Sequence, residues 1–153
     1  MENINELIKN QQLDQIKALL EQKPALANQP DQRGFSPLIM AAYLNATDAV
    51  HPLLDHGAEV NAQDASGNTA LMGTCFKGYA EVADLLISKG ADVNLRNGDG
   101  ATALAFAVNF NQVDVAKLLL AHGAVIDKSV TGMVAQAKAK GNEEIVNLIA
   151  SQS

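Results

Sequence analysis

The chain has 153 residues, 48% hydrophobic and 18% charged, which suits one packed domain and excludes a disordered polyelectrolyte. Aromatic residues make up only 4% and Trp is absent, so Leu, Ala, Val and Ile must fill the interior, as closely packed small helices allow. A net charge of −6 opposes nucleic acid and acidic membrane surfaces, and a single cysteine, Cys75, excludes an internal disulfide.

The N-terminal residues, Met1 to Glu6, are polar and acidic, unlike a signal or transit peptide. No apolar run approaches the ~20 residues that span a bilayer, so a cytoplasmic location is expected. Ile4, Leu7 and Ile8, then Leu13, Ile16, Leu19 and Leu20, predict a helix pair over residues 4–28, within a capping unit 1–30.

From residue 31 the chain repeats itself. A shift of 33 residues superposes Asp31, Asp64 and Asn97, then Gly34, Gly67 and Gly100, then Leu38, Leu71 and Leu104. The same shift aligns Leu53, Leu86 and Leu119, the glycines 57, 90 and 123, and Asn61, Asn94 and Asp127. Three copies, 31–63, 64–96 and 97–129, follow without an insertion. Within each copy Ser36, Thr69 or Thr102 is a predicted N-cap, because its side-chain oxygen can accept a free N–H of the first turn. Pro37 suits the first helical position, where no N–H is needed. Asn45, Gly78 and Asn111 are predicted left-handed stops. A second helix is expected to begin at Asp48, Glu81 or Asp114 and to end at the glycine after it. An Asn/Asp/Gly-rich stretch such as Asn94–Gly100 then makes a turn. One such unit cannot cover its own apolar face, whereas stacked neighbours can. Residues 130–153 form a last, imperfect unit, with Val134, Ala137, Ile145, Leu148 and Ile149 as its apolar face.

The stretch Asp64-Ala65-Ser66-Gly67-Asn68-Thr69-Ala70-Leu71 resembles the start of an ankyrin repeat, and Leu85 to Asn94 resembles its end. The resemblance implies an all-α ankyrin-repeat helical solenoid with short β-turn finger loops, three full repeats and a capping helix pair at each end. It departs from the family pattern in two ways. No copy carries the frequent His after Thr-Pro-Leu, so its usual hydrogen bonds between repeats are missing; and Pro52 falls inside a second helix, where it removes one backbone bond.

Catalytic and ligand motifs fail on context. Gly98-Asp99-Gly100-Ala101-Thr102-Ala103 matches a dinucleotide pattern, but the repeat places it at a finger tip and not in a βαβ unit. As a calcium loop the same segment fails at Leu95 and Phe106. His51, His56 and His122 do not converge on a metal, and Cys75 reads as a small buried hydrophobe. No enzyme activity, cofactor or metal is expected.

The resemblance implies that a partner touches the finger tips and the ends of the first helices. Four of the six aromatics, Phe35, Tyr43, Phe76 and Phe110, fall there. Candidate partner-binding residues are these four with Arg33, Leu44, Asn68, Lys77, Asp99 and Asn109. Stacked repeats would align the rings as a stripe rimmed by charge, the form of an interaction site. Phe106 and Tyr79 are assigned to packing, and truncating Tyr43 or Phe76 is expected to leave folding nearly intact. The expected function is non-catalytic binding of another protein, by a monomer, with no nucleic-acid or membrane partner. The alternative is an accessory subunit whose finger loops take a small ligand, or self-association through the stripe.

Overall fold

The computed structural model describes residues 3–152, which form five antiparallel helix pairs and no strand. The pairs are α1 (Ile4–Lys9) with α2 (Leu13–Gln22), α3 (Pro37–Tyr43) with α4 (Thr47–Asp55), and α5 (Ala70–Thr74) with α6 (Ala80–Ser88). Then come α7 (Ala103–Asn109) with α8 (Val113–Ala121), and α9 (Lys128–Lys140) with α10 (Glu143–Ala150). A 3-10 turn, Pro24–Asn28, follows α2. Each first helix touches the first helix of the next pair, and each second helix the next second helix, so the stack grows in one direction.

The expected caps form. Ser36 Oγ accepts from the Ile39 N–H at 3.1 Å, Thr69 Oγ1 from Met72 at 3.2 Å and Thr102 Oγ1 from Ala105 at 3.3 Å. The second helices start one residue earlier than expected, at Thr47, Ala80 and Val113, with Asp48, Glu81 and Asp114 in the first turn. The stops at Asn45, Gly78 and Asn111 are left-handed, with φ of 54°, 74° and 56°. Gln11 adopts the same conformation in the first pair, φ 57°, although glutamine carries no sequence signal for it. Pro52 is buried and α4 still runs nine residues, as α6 and α8 do.

Leu38, Leu71 and Leu104, with Leu53, Leu86 and Leu119, are fully buried and form the continuous core. A column of asparagines supplies one set of polar links between units. Asn28, Asn61 and Asn94 each reach to the next unit, donating to the carbonyls of Gly57, Gly90 and Gly123 and accepting from the amides of Glu59, Asp92 and Val125. Asp127 stands at the next register position and cannot donate. Its carboxylate caps α9 through the amides of Ser129 and Val130 and pairs with Arg96 at 2.6 Å.

Candidate functional site

The fingers are built by one device used three times. Oδ1 of Asp31 accepts from the amides of Arg33 and Phe35, Asp64 Oδ1 from Ser66 and Asn68, and Asn97 Oδ1 from Asp99 and Ala101, all at 2.9–3.0 Å. The second and third fingers are joined. The Gly98 amide donates to the Ser66 carbonyl at 2.8 Å, Asn97 Nδ2 to Asn68 Oδ1 at 2.8 Å, and Gln63 Nε2 to the Arg96 carbonyl at 3.0 Å. This approach is close enough that a Cβ on Gly67 would lie 2.7 Å from the Gly98 nitrogen, which is why glycine is required there. Among the described residues no hydrogen bond joins the first finger to the second. The residues explain it: Pro30 stands where Gln63 stands one repeat on, and Asp64 lacks the amide donor of Asn97.

Beside the fingers the rings form one row. The Arg33 guanidinium lies 4.7 Å from the Phe35 ring centre and is held by Asp31 at 3.0 Å. Phe35 stands 5.7 Å from Tyr43, Tyr43 5.5 Å from Phe76, and Phe76 4.7 Å from Phe110. The Tyr43 ring lies over Gly73, where a Cβ would meet it at 3.4 Å, an ordinary contact distance. Burial raises the Tyr43 phenol above its ordinary value, and the nearby Asp64 carboxylate and Cys75 add to the rise.

Phe106 belongs to this row. It packs 5.4 Å from Phe76 and 6.4 Å from Phe110, four residues along the same helix face. In register, Tyr43 and Phe76 should be followed by a ring at 109, where the chain has Asn. Phe106 and Phe110, either side of Asn109, supply rings instead. Phe106 packs against the core, as expected, and also against Phe76 and Phe110; its i, i+4 spacing to Phe110 is the sequence sign of that second contact.

The other candidate residues lie around the row. Leu44 is 46% exposed and Phe110 38%, so apolar surface meets water at the ends of α3 and α7. Phe35, Tyr43, Phe76 and Asn109 are half-buried, while Arg33, Lys77 and Asp99 are exposed. Asn68 is held in the joined finger plate through Asn97. The dinucleotide-like segment forms the third finger and the Thr102 cap of α7. Among the described residues no group of three or more His, Cys, Asp or Glu is placed to hold a metal ion, and no helix is long and apolar enough to cross a membrane. Cys75 is fully buried, and desolvation pushes its thiol up to about 12.

A family profile described as ankyrin repeats, in three copies, matches residues 4–97 and again 71–153. The chain belongs to the ankyrin-repeat family. Ankyrin repeats generally mediate protein–protein interaction and are typically non-enzymatic. One stretch of 57 residues is 40% identical to the human DNA-binding protein RFXANK, covering 37% of this chain and 22% of that protein. The matched stretch therefore spans about a fifth of the length of that relative.

Proposed function

We propose that this ankyrin array is a non-catalytic binding module that docks another protein on the ring row and finger tips. The surface comprises Arg33, Phe35, Tyr43, Leu44, Phe76, Lys77 and Phe110, flanked by Asn68, Asp99 and Asn109, with Phe106 added. The observation that carries it is the unbroken row of rings, 4.7–5.7 Å from centre to centre across three repeats, with apolar surface still exposed at Leu44 and Phe110. Ordered rings lose little side-chain entropy on binding and offer large contact area, which makes them effective anchors. The joined second and third fingers hold their part of the surface in a single arrangement before a partner arrives.

The human relative is described as DNA-binding, but 17 acidic against 11 basic residues set this chain against a polyanion. The test compares partner capture by the wild type, by a ring variant carrying Phe76→Leu and Phe110→Ala, and by a Lys89/Lys117 double alanine control away from the row. Capture lost only in the ring variant, with helical content retained, supports the surface. Equal capture by all three removes it. Light scattering across a dilution series separates heterotypic docking from self-association through the row.

A further inference from the structure

Asn97-Gly98, in the third finger, is the one Asn-Gly step of the chain. Such a step carries a chemistry of its own. Glycine has no side chain to hinder its amide nitrogen, so that nitrogen can approach the carboxamide carbon of the asparagine before it. The Gly98 amide gives up its proton and its nitrogen attacks Asn97 Cγ. A C–N bond forms, the side-chain nitrogen takes up a proton and leaves as ammonia, and a cyclic imide remains. Water then opens the imide at either carbonyl. One opening gives aspartate; the other gives isoaspartate, in which the main chain runs through the former side chain.

The structure separates the requirements of this reaction. The carbonyl is activated: Asn97 Oδ1 accepts from the amides of Asp99 and Ala101 at 3.0 and 2.9 Å, which draws electron density from Cγ. The nucleophile is withheld, because the Gly98 N–H is engaged by the Ser66 carbonyl at 2.8 Å and base cannot take its proton while that bond lasts. The leaving nitrogen is held as well, donating to Asn68 Oδ1 at 2.8 Å, and Gln63 fastens the same junction through the Arg96 carbonyl at 3.0 Å. Each of these restraints comes from the second finger. Gly98 itself is exposed, so water and base reach it as soon as the two fingers part. Asp31 and Asp64, at the same register position, close their own fingers with a carboxylate, so an aspartate product keeps the turn. Isoaspartate does not, because its extra main-chain carbon carries Gly98 away from Ser66.

We propose that Asn97 is a deamidation site gated by the junction of the second and third fingers, and that isoaspartate formed there uncouples the two fingers. The site needs only the junction and is independent of the ring row being a docking surface.

The test follows the whole chain at pH 7.4 and 37 °C by peptide mapping and mass spectrometry, beside a synthetic peptide of residues 95–102. Conversion at Asn97 is read as the mass gained from amide to acid; cyclisation at Asp99-Gly100, which loses and regains water, leaves the mass unchanged. The native chain should convert about tenfold or more slowly than the peptide, as a site that reacts only through local opening does. Gln63→Ala with Asn68→Ala removes two links, each worth about fivefold in the opening equilibrium, and should bring the rate close to that of the peptide while the thermal midpoint stays near wild type. If the midpoint falls, Gln63→Ala alone serves, with a rise of about fivefold. Asn68→Asp keeps an acceptor for Asn97 Nδ2 and should stay slow. In chains aged to isoaspartate, the Gly98 amide should exchange as fast as the Ala65 amide. A native rate equal to that of the peptide, or junction variants as slow as wild type, would overturn the gate. Earlier conversion at another asparagine would overturn the site, and a Gly98 amide still protected in the aged chain would overturn the uncoupling. These rates are read without any partner, so they stand or fall separately from the capture assays.

Discussion

Truncating Phe76 to alanine removes the centre of the ring row. Phe76 meets Tyr43 at 5.5 Å, Phe106 at 5.4 Å and Phe110 at 4.7 Å. Each aromatic pair contributes about 0.5–1.5 kcal/mol beyond area burial. Three pairs, with partial loss of ring burial, give about 3 kcal/mol for Phe76→Ala. This revises the expectation from sequence that a ring on an exposed face could be removed at little cost, because the rings use one another as packing partners. Urea unfolding followed by circular dichroism measures it, read as a midpoint shift at constant slope. A double-mutant cycle with Phe110→Ala should return a coupling of about 1 kcal/mol at this separation. Val125→Ala, at a site 56% exposed, is the control and should stay within about 0.5 kcal/mol of wild type. A Phe76→Ala cost below about 0.5 kcal/mol, or a coupling indistinguishable from zero, would mean that the row is not formed in solution. Because Phe76 supports the fold as well as the surface, Phe76→Leu is the better variant for capture assays, and Leu44 and Phe110 are the cleaner probes of docking.

Asn94→Ala removes both bonds to the last full repeat and should cost about 1–2 kcal/mol in the same unfolding assay, whereas Asn94→Asp keeps the bond from Val125 and loses the one to Gly123. Fully buried and with its thiol pushed up to about 12, Cys75 should resist iodoacetamide at pH 8 in native protein and react at once in 6 M guanidinium, read by mass spectrometry. For Asp127, burial alone would raise the carboxyl, but hydrogen bonds from Ser129 and Val130 and the Arg96 guanidinium outweigh it and hold it below the ordinary value. Its contribution to stability is therefore fully present above the unfolded value of about 3.9 and lost as pH falls through the lower folded value; Asp127→Asn should flatten this part of the acid loss in melts between pH 5 and 2. Hydrogen exchange should show the Gly98 amide, bonded to Ser66, about tenfold or more slower than the Ala65 amide, its register equivalent, which has no cross-finger bond; equal rates would mean the fingers are not joined unequally.

The 33-residue period, the capping hydroxyls and the stop residues determined the fold directly from sequence, because each acts through hydrogen bonds and φ preferences within a few residues of itself. The apolar positions that became the core were legible for the same reason, since helical spacing alone assigns them to one face. What the tertiary structure decided lies between repeats, where side chains distant in sequence become neighbours. Asn28, Asn61 and Asn94 could be aligned as a column, but only stacking turns their amides into bridges, and pairs Asp127, the cap of α9, with Arg96. The same holds for the site: sequence placed rings on a common face, while the three-dimensional row brought Phe106 in beside Phe76. It tied the second finger to the third but not to the first. A one-dimensional register says which residues correspond; distances across the stack, set by side-chain volume and donor chemistry, say which of them touch.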